Sequence, residues 1–173
     1  MMDRIGELRK SAQVKINLGC GETPFDGFVN IDIQTAPCKP DLVADVRQLP
    51  FSDSSVDYIE CHQVLEHFEL DEGNKALKEW SRILKPQGYI LVTVPDILCF
   101  AQGFMKSLGH IPEVWPGVVR YIYGGLGEFN RHLSCFSPPY LMYKMGEYGF
   151  HCITDPWQDR ATPSFAVLGC KVK

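Results

Sequence analysis

Two glycines and two carboxylates have the types and spacing to hold a nucleoside-like ligand. Gly19 and Gly21 end the run Val14-Lys15-Ile16-Asn17-Leu18-Gly19-Cys20-Gly21, and Asp32 closes the next apolar run, Phe28-Val29-Asn30-Ile31. Glycine lacks a Cβ and tolerates positive φ, so the chain can bend after the first run and bring its main chain against a small molecule. A carboxylate at the end of the following strand can accept both hydroxyls of a ribose, and Asp32 is placed for that. Asp45 follows a third run, Leu42 to Ala44, and could take the exocyclic amine of an adenine while the Val46 amide reads a ring nitrogen. Singly, each acid reads as an ordinary loop or cap aspartate. At successive strand ends on one carboxyl edge, beside a glycine turn, they point to binding.

The same residues argue against a dinucleotide. A pyrophosphate site wants GxGxxG leading into a helix N-terminus, whereas Gly19-Cys20-Gly21-Glu22-Thr23-Pro24 lacks the third glycine and presents Glu22, which would repel phosphate.

The elements that must position these groups follow from periodicity. A helical lead-in covers Asp3 to Lys10. Beta-type runs cover Val14 to Leu18, Val29 to Asp32, Leu42 to Ala44 and Val56 to Cys61. Ala76, Leu77, Trp80, Ile83 and Leu84 make one stripe of a helix from about Asp71, its expected N-cap, to Leu84. Lys85-Pro86-Gln87-Gly88 then ends the helix before a buried strand, Tyr89 to Val94. Helix is expected over Ile97 to Leu108 and Pro138 to Glu147, and strands near His151 to Thr154 and Ser164 to Val172. Strands alternating with helices predict an α/β fold with a Rossmann-like, doubly wound, mostly parallel sheet in a single domain spanning 1–173. Only about ten residues separate the first two strands, fewer than a parallel crossover usually takes, so the first crossover helix is cut short. Residues 109–131 lack periodicity yet carry Trp115, Tyr121, Tyr123 and Phe129, the mark of a lid or substrate loop.

Composition narrows the function classes. In 173 residues the net charge is -4, with no basic cluster, so a duplex nucleic acid partner is not expected. Seven cysteines without a CxxC pair fit a reduced intracellular protein better than a disulfide scaffold. Neither a signal peptide nor a membrane span is legible, so the cytoplasm is the expected compartment.

Ile16-Asn17-Leu18-Gly19-Cys20-Gly21, Asp32, Ala44-Asp45-Val46-Arg47-Gln48-Leu49-Pro50-Phe51, His62-Gln63-Val64-Leu65-Glu66-His67 and Leu84-Lys85-Pro86-Gln87-Gly88-Tyr89 stand in one order over roughly half the chain. Together they resemble the successive motifs of class I S-adenosylmethionine-dependent methyltransferases, most closely the type 11-like subset with a short first crossover. The resemblance implies S-adenosyl-L-methionine as cofactor, with Asn17, Leu18, Gly19 and Gly21 along its methionine portion. It places Asp32 at the ribose and Ile33 in the same cofactor site, Asp45 and Val46 at the adenine, and the segment Cys61-His62-Gln63 facing the sulfonium and the methyl acceptor. Asn17 stands where the family carries an acid, and Thr23 where it carries a third glycine.

Methyl transfer from a sulfonium is an in-line displacement in which alignment and water exclusion do most of the work. A hydroxyl acceptor also gains from a base near neutral pH, and His62 and His132 are the candidates, the latter by family position. Gln63, Glu66, His67 and His132 also resemble the ExxEH-plus-histidine set that binds a divalent ion in some small-RNA 2'-O-methyltransferases. With Gln63 in place of the first glutamate, a hydrogen-bonded helix surface is expected and no metal. The expected function is methyl transfer to a small-molecule acceptor, oxygen favoured. A non-catalytic S-adenosylmethionine-binding protein is the alternative, and an NAD-dependent reductase a weaker one.

Overall fold

The computed structural model describes residues 2–36, 39–106, 119–120, 122–125, 130–153, 157–158 and 163–172. After helix α1 (Met2–Ser11) come strands β1 (Lys15–Leu18), β2 (Val29–Asp32), β3 (Leu42–Val43) and β4 (Val56–His62). A 3₁₀ turn over Leu65–His67 leads to α2 (Leu70–Ile83), β5 (Leu84–Pro95) and α3 (Ile97–Lys106). The chain closes with α4 (Pro138–Glu147), β6 (Phe150–Cys152), β7 (Trp157–Gln158) and β8 (Ser164–Lys171).

The sheet runs β3-β2-β1-β4-β5-β8-β6, with β7 also paired to β8. Strands β1 to β5 are parallel, while β8 runs antiparallel to β5, β6 and β7. Strand order reverses between β1 and β4, which opens a crevice at their carboxyl ends. Alternation sends Ile16, Leu18, Ile59, Cys61, Val92 and Phe165 to one face, against Leu77, Trp80 and Ile83 of α2 and Leu141 and Met145 of α4. Tyr58, Leu91, Ala166 and Leu168 pack on the other face with Ile5 of α1. Among the described residues no helix is long and apolar enough to cross a membrane.

Three local expectations change and a fourth reaches its limit. Residues 19–28 form turns and no helix, the far end of the shortening expected for the first crossover. Asn30 replaces the missing helix: its side chain accepts from the Phe25 amide at 2.7 Å and from Asn17 Nδ2 at 3.1 Å, and donates to Asp41 at 3.0 Å. The N-cap of α2 is Glu69, because the Gly73 amide donates to its carbonyl at 2.8 Å, and Asp71 falls inside the first turn. Strand β5 absorbs the expected turn: Val56 faces Leu84 and Tyr58 faces Tyr89, so the intervening residues bulge, with Gln87 at φ 64°. The two-residue β7 was not foreseen.

Candidate active site

Gly19 and Gly21 have φ of 63° and 48°, the left-handed region that favours glycine. A Cβ on Gly19 would lie 2.4 Å from Val64 Cγ2, so only glycine lets the turn approach the segment after β4. The Gly21 amide donates to Asp32 Oδ2 and the Gln34 amide to Oδ1, both at 2.9 Å. Asp32 thus braces the turn it faces, and each oxygen keeps a second acceptor direction.

Asp45 accepts from Arg47 Nη2 at 2.6 Å and from the Arg47 amide at 2.9 Å, while Arg47 also bonds Glu72 of α2 at 2.5 Å. The Arg47 guanidinium holds the Asp45 carboxyl below its ordinary range, against the opposing effect of partial burial. Phe68 lies 5.2 Å from that guanidinium. Trp80 Nε1 donates to the Val46 carbonyl at 2.9 Å, and Glu79 accepts from the Leu49 amide at 2.7 Å, so α2 fixes this loop.

These groups surround a cleft of about 240 Å³ at the crevice. Of the residues expected at the cofactor, Gly19, Gly21, Asp32, Ile33, Asp45, Val46 and Gln63 line it. Asn17 and Leu18 do not: Leu18 is core, and Asn17 turns its amide to Asn30 and to the Thr23 carbonyl, holding the crossover. Gln34, Arg47, His67, Phe68 and Asn130 line it without having been foreseen. Arg47 and Phe68 had a signal, a cation two residues after Asp45 and an aromatic closing the HxxLEH motif. Asn130 had none, because a distant loop delivers it.

His62 is not brought into this cleft. Its Nε2 donates to Glu60 at 2.8 Å and its Nδ1 pairs with Thr93 Oγ1 at 3.0 Å, beside Phe25. Glu60 also receives Arg9, with Nη2 at 2.6 Å and Nε closer still. Burial alone would raise the Glu60 carboxyl, but the bonds from His62 and Arg9 outweigh it and hold it low.

His132 lies elsewhere, over a second pocket of about 200 Å³ lined by Glu66, Pro95, Ile97, Phe100, Tyr123 and Ser134 among others. The segment carrying it docks on the 3₁₀ turn: the Leu133 and Ser134 amides donate to the Glu66 carbonyl at 2.7 and 3.1 Å. His67 Nδ1 donates to the Arg131 carbonyl at 2.9 Å, and its ring stands edge-on to His132 at 5.1 Å. Glu66 does not fit the expected hydrogen-bonded surface. Its side chain is buried, and neither carboxylate oxygen has a hydrogen-bond partner among the described residues. Burial pushes its pKa up to about 8. Most of the expected lid, 109–131, lies outside the described residues. Its described ends meet where the Gly125 amide donates to the Asn130 carbonyl at 2.6 Å and the His132 amide to the Tyr123 carbonyl at 3.0 Å.

A methyltransferase domain family matches residues 24–92. The chain is 30% identical over 115 residues to an uncharacterized protein of Methanocaldococcus jannaschii, covering 62% of this chain and 49% of that one. It thus spans about half the length of the curated relative it matches. A SAM-dependent methyltransferase of Methanosarcina mazei superposes with a TM-score of 0.70 at 16% identity, over 98% of this chain and 97% of that one. The magnesium protoporphyrin IX methyltransferase of Synechocystis with bound SAH gives 0.62 at 14%, over 98% and 78%. At these identities the likeness to the solved structures is one of fold.

Proposed function

We propose, from a chain that belongs to the class I S-adenosylmethionine-dependent methyltransferase family and takes S-adenosylmethionine as its cofactor, that it methylates an oxygen of a small molecule seated in the second pocket. The observation that carries this reading is that one turn walls both cavities: His67 lines the cleft while Glu66, its neighbour, lines the second pocket. An acceptor there would meet whatever the cleft presents beyond Gln63.

The cleft suits an adenosyl sulfonium. Gly19 and Gly21 hold the positive-φ turn that a side chain would strain, Gly19 leaving no room for a Cβ beside Val64, Asp32 is anchored to receive ribose hydroxyls, and ionised Asp45 with the Val46 amide can read an adenine edge. When bound, the cofactor supplies an electrophilic methyl: the C–S electron pair stays on sulfur, a C–O bond forms, and the products are S-adenosylhomocysteine and a methyl ether. The chain's own task is to align the acceptor, exclude water with the apolar walls of Pro95, Ile97 and Phe100, and take the hydroxyl proton. We assign that proton to His132, which lines the pocket, rather than to His62, which lines neither cavity. A cytoplasmic setting suits Cys20, Cys61 and Cys152, none of which is in a disulfide.

Calorimetric titration with S-adenosylhomocysteine tests the reading. Binding is expected without NAD binding, and Asp32→Ala is expected to weaken it by ~2 kcal/mol, about 30-fold. Unchanged affinity in that variant removes the ribose role. His132→Ala is expected to keep that affinity and lower the methylation rate across a panel of hydroxyl acceptors; binding with no turnover of any acceptor by the unmodified protein favours the non-catalytic alternative.

A further inference from the structure

We propose that Glu66, His67 and His132 form a binding site for one first-row divalent transition-metal ion, seated between the cofactor cleft and the second pocket. Their ligand atoms lie within 4.8 Å of one another, although the residues come from two distant stretches of chain. A second, independent observation points the same way: Glu66, 1% exposed, holds two carboxylate oxygens with no partner among the described residues. Native proteins rarely leave such a group unsatisfied without a reason such as an ion. A third is the orientation of His67. Its Nδ1 donates to the Arg131 carbonyl, which leaves Nε2 as the lone-pair nitrogen, and metal-bound imidazoles are commonly held by such a bond to a backbone carbonyl.

The donor set selects the ion. Two imidazoles and one carboxylate suit zinc, iron(II), cobalt or manganese in a three-ligand site with open positions, whereas calcium and magnesium want oxygen. Ligand bonds of about 2.1 Å require the three donors to close inward from their present separation. Glu66 and His132 both line the second pocket, so the open positions would face it.

The inference rests on the methyltransferase reading and deepens it. An ion there would grip the acceptor oxygen and lower the pKa of its hydroxyl, the proton passing to solvent and His132 holding the cation instead of the proton. The acceptor class is then a hydroxyl compound with an apolar body that fits among Pro95, Ile97 and Phe100.

Cobalt(II) titration of the full chain, followed by visible absorbance and calorimetry, tests the site. One equivalent is expected, with d–d bands and no thiolate-to-cobalt charge transfer. Glu66→Gln and His132→Ala should each weaken it at least 100-fold, with S-adenosylhomocysteine affinity within twofold of the unmodified protein. No stoichiometric cobalt, a thiolate band, or unaltered cobalt affinity in the two variants would overturn the site. Should Glu66→Gln fail to fold by circular dichroism, His132→Ala decides. Cobalt binding is read separately from S-adenosylhomocysteine binding, so loss of the latter alone sinks the cofactor reading and loss of the former alone sinks the ion.

Discussion

Glu60 and Glu66 flank the carboxyl end of β4, at 0% and 1% exposure, yet they live in opposite chemical worlds. On the α1 side, Glu60 is gripped by Arg9 and His62 and held below its ordinary pKa. On the pocket side, the Glu66 carboxylate has no hydrogen-bond partner among the described residues, and burial pushes it up to about 8. The first carboxylate is completed by the chain, and its work is structural. The second is incomplete, which is the pattern of a group kept for something that arrives from outside. Gln63 separates them, turning the chain with a φ of 55° that ordinary side chains avoid.

Removing Arg9 attacks the satisfied side and should have the largest effect. Arg9→Ala leaves Glu60 with His62 alone, and we expect a loss of ~1–3 kcal/mol in denaturant unfolding, towards the lower end because the Arg9 side chain is 42% exposed. The pH dependence follows in sign. Glu60 is depressed in the folded state, so its contribution is complete above the ordinary value of 4.5 and disappears as pH falls through the folded value. Arg9→Ala should therefore move the acid-unfolding midpoint upwards; an unmoved midpoint breaks the contrast.

On the other side, Glu66→Met should have the opposite sign. Exchanging an unsatisfied buried carboxyl for an apolar chain of similar length is expected to stabilise the metal-free protein by ~1–2 kcal/mol in the same assay, while methylation falls. Destabilisation would mean that Glu66 has a structural role after all. The smallest effect belongs to the residue between them. Gln63→Gly relieves the positive φ but frees the unfolded chain, and thermal unfolding should show a net change of ~0.5 kcal/mol or less.

The sheet and the lining of the cleft were largely legible because their information is local. Apolar runs locate β1, β2, β4 and β5, and the wall residues Gly19, Gly21, Asp32 and Asp45 each stand at a strand end, where topology alone fixes the edge they share. Asn17 and His62 stand away from the cleft lining for a common reason: a strand residue's face depends on register and on what packs behind it. Asn17 meets Asn30 and His62 meets Glu60, partners no motif reveals. The meeting of Glu66, His67 and His132 was visible only as a family echo, because the 3₁₀ turn and the loop that docks on it lie 65 residues apart at Glu66 and Arg131.

The helix-less first crossover also sets an order of assembly. Ile16 and Val29 are paired across only 13 positions, whereas Ile90 and Gly169 are paired across 79. Loop-closure entropy favours the former by about 1.6 kcal/mol. The β1–β2 ribbon, with Asn30 clasping the turns, should accordingly gain protection early in pulsed hydrogen exchange during refolding, and β8 late. On a ribosome this side of the cleft would be built while the strand that closes the sheet is still being synthesised, so an interrupted chain can already carry half of the cleft.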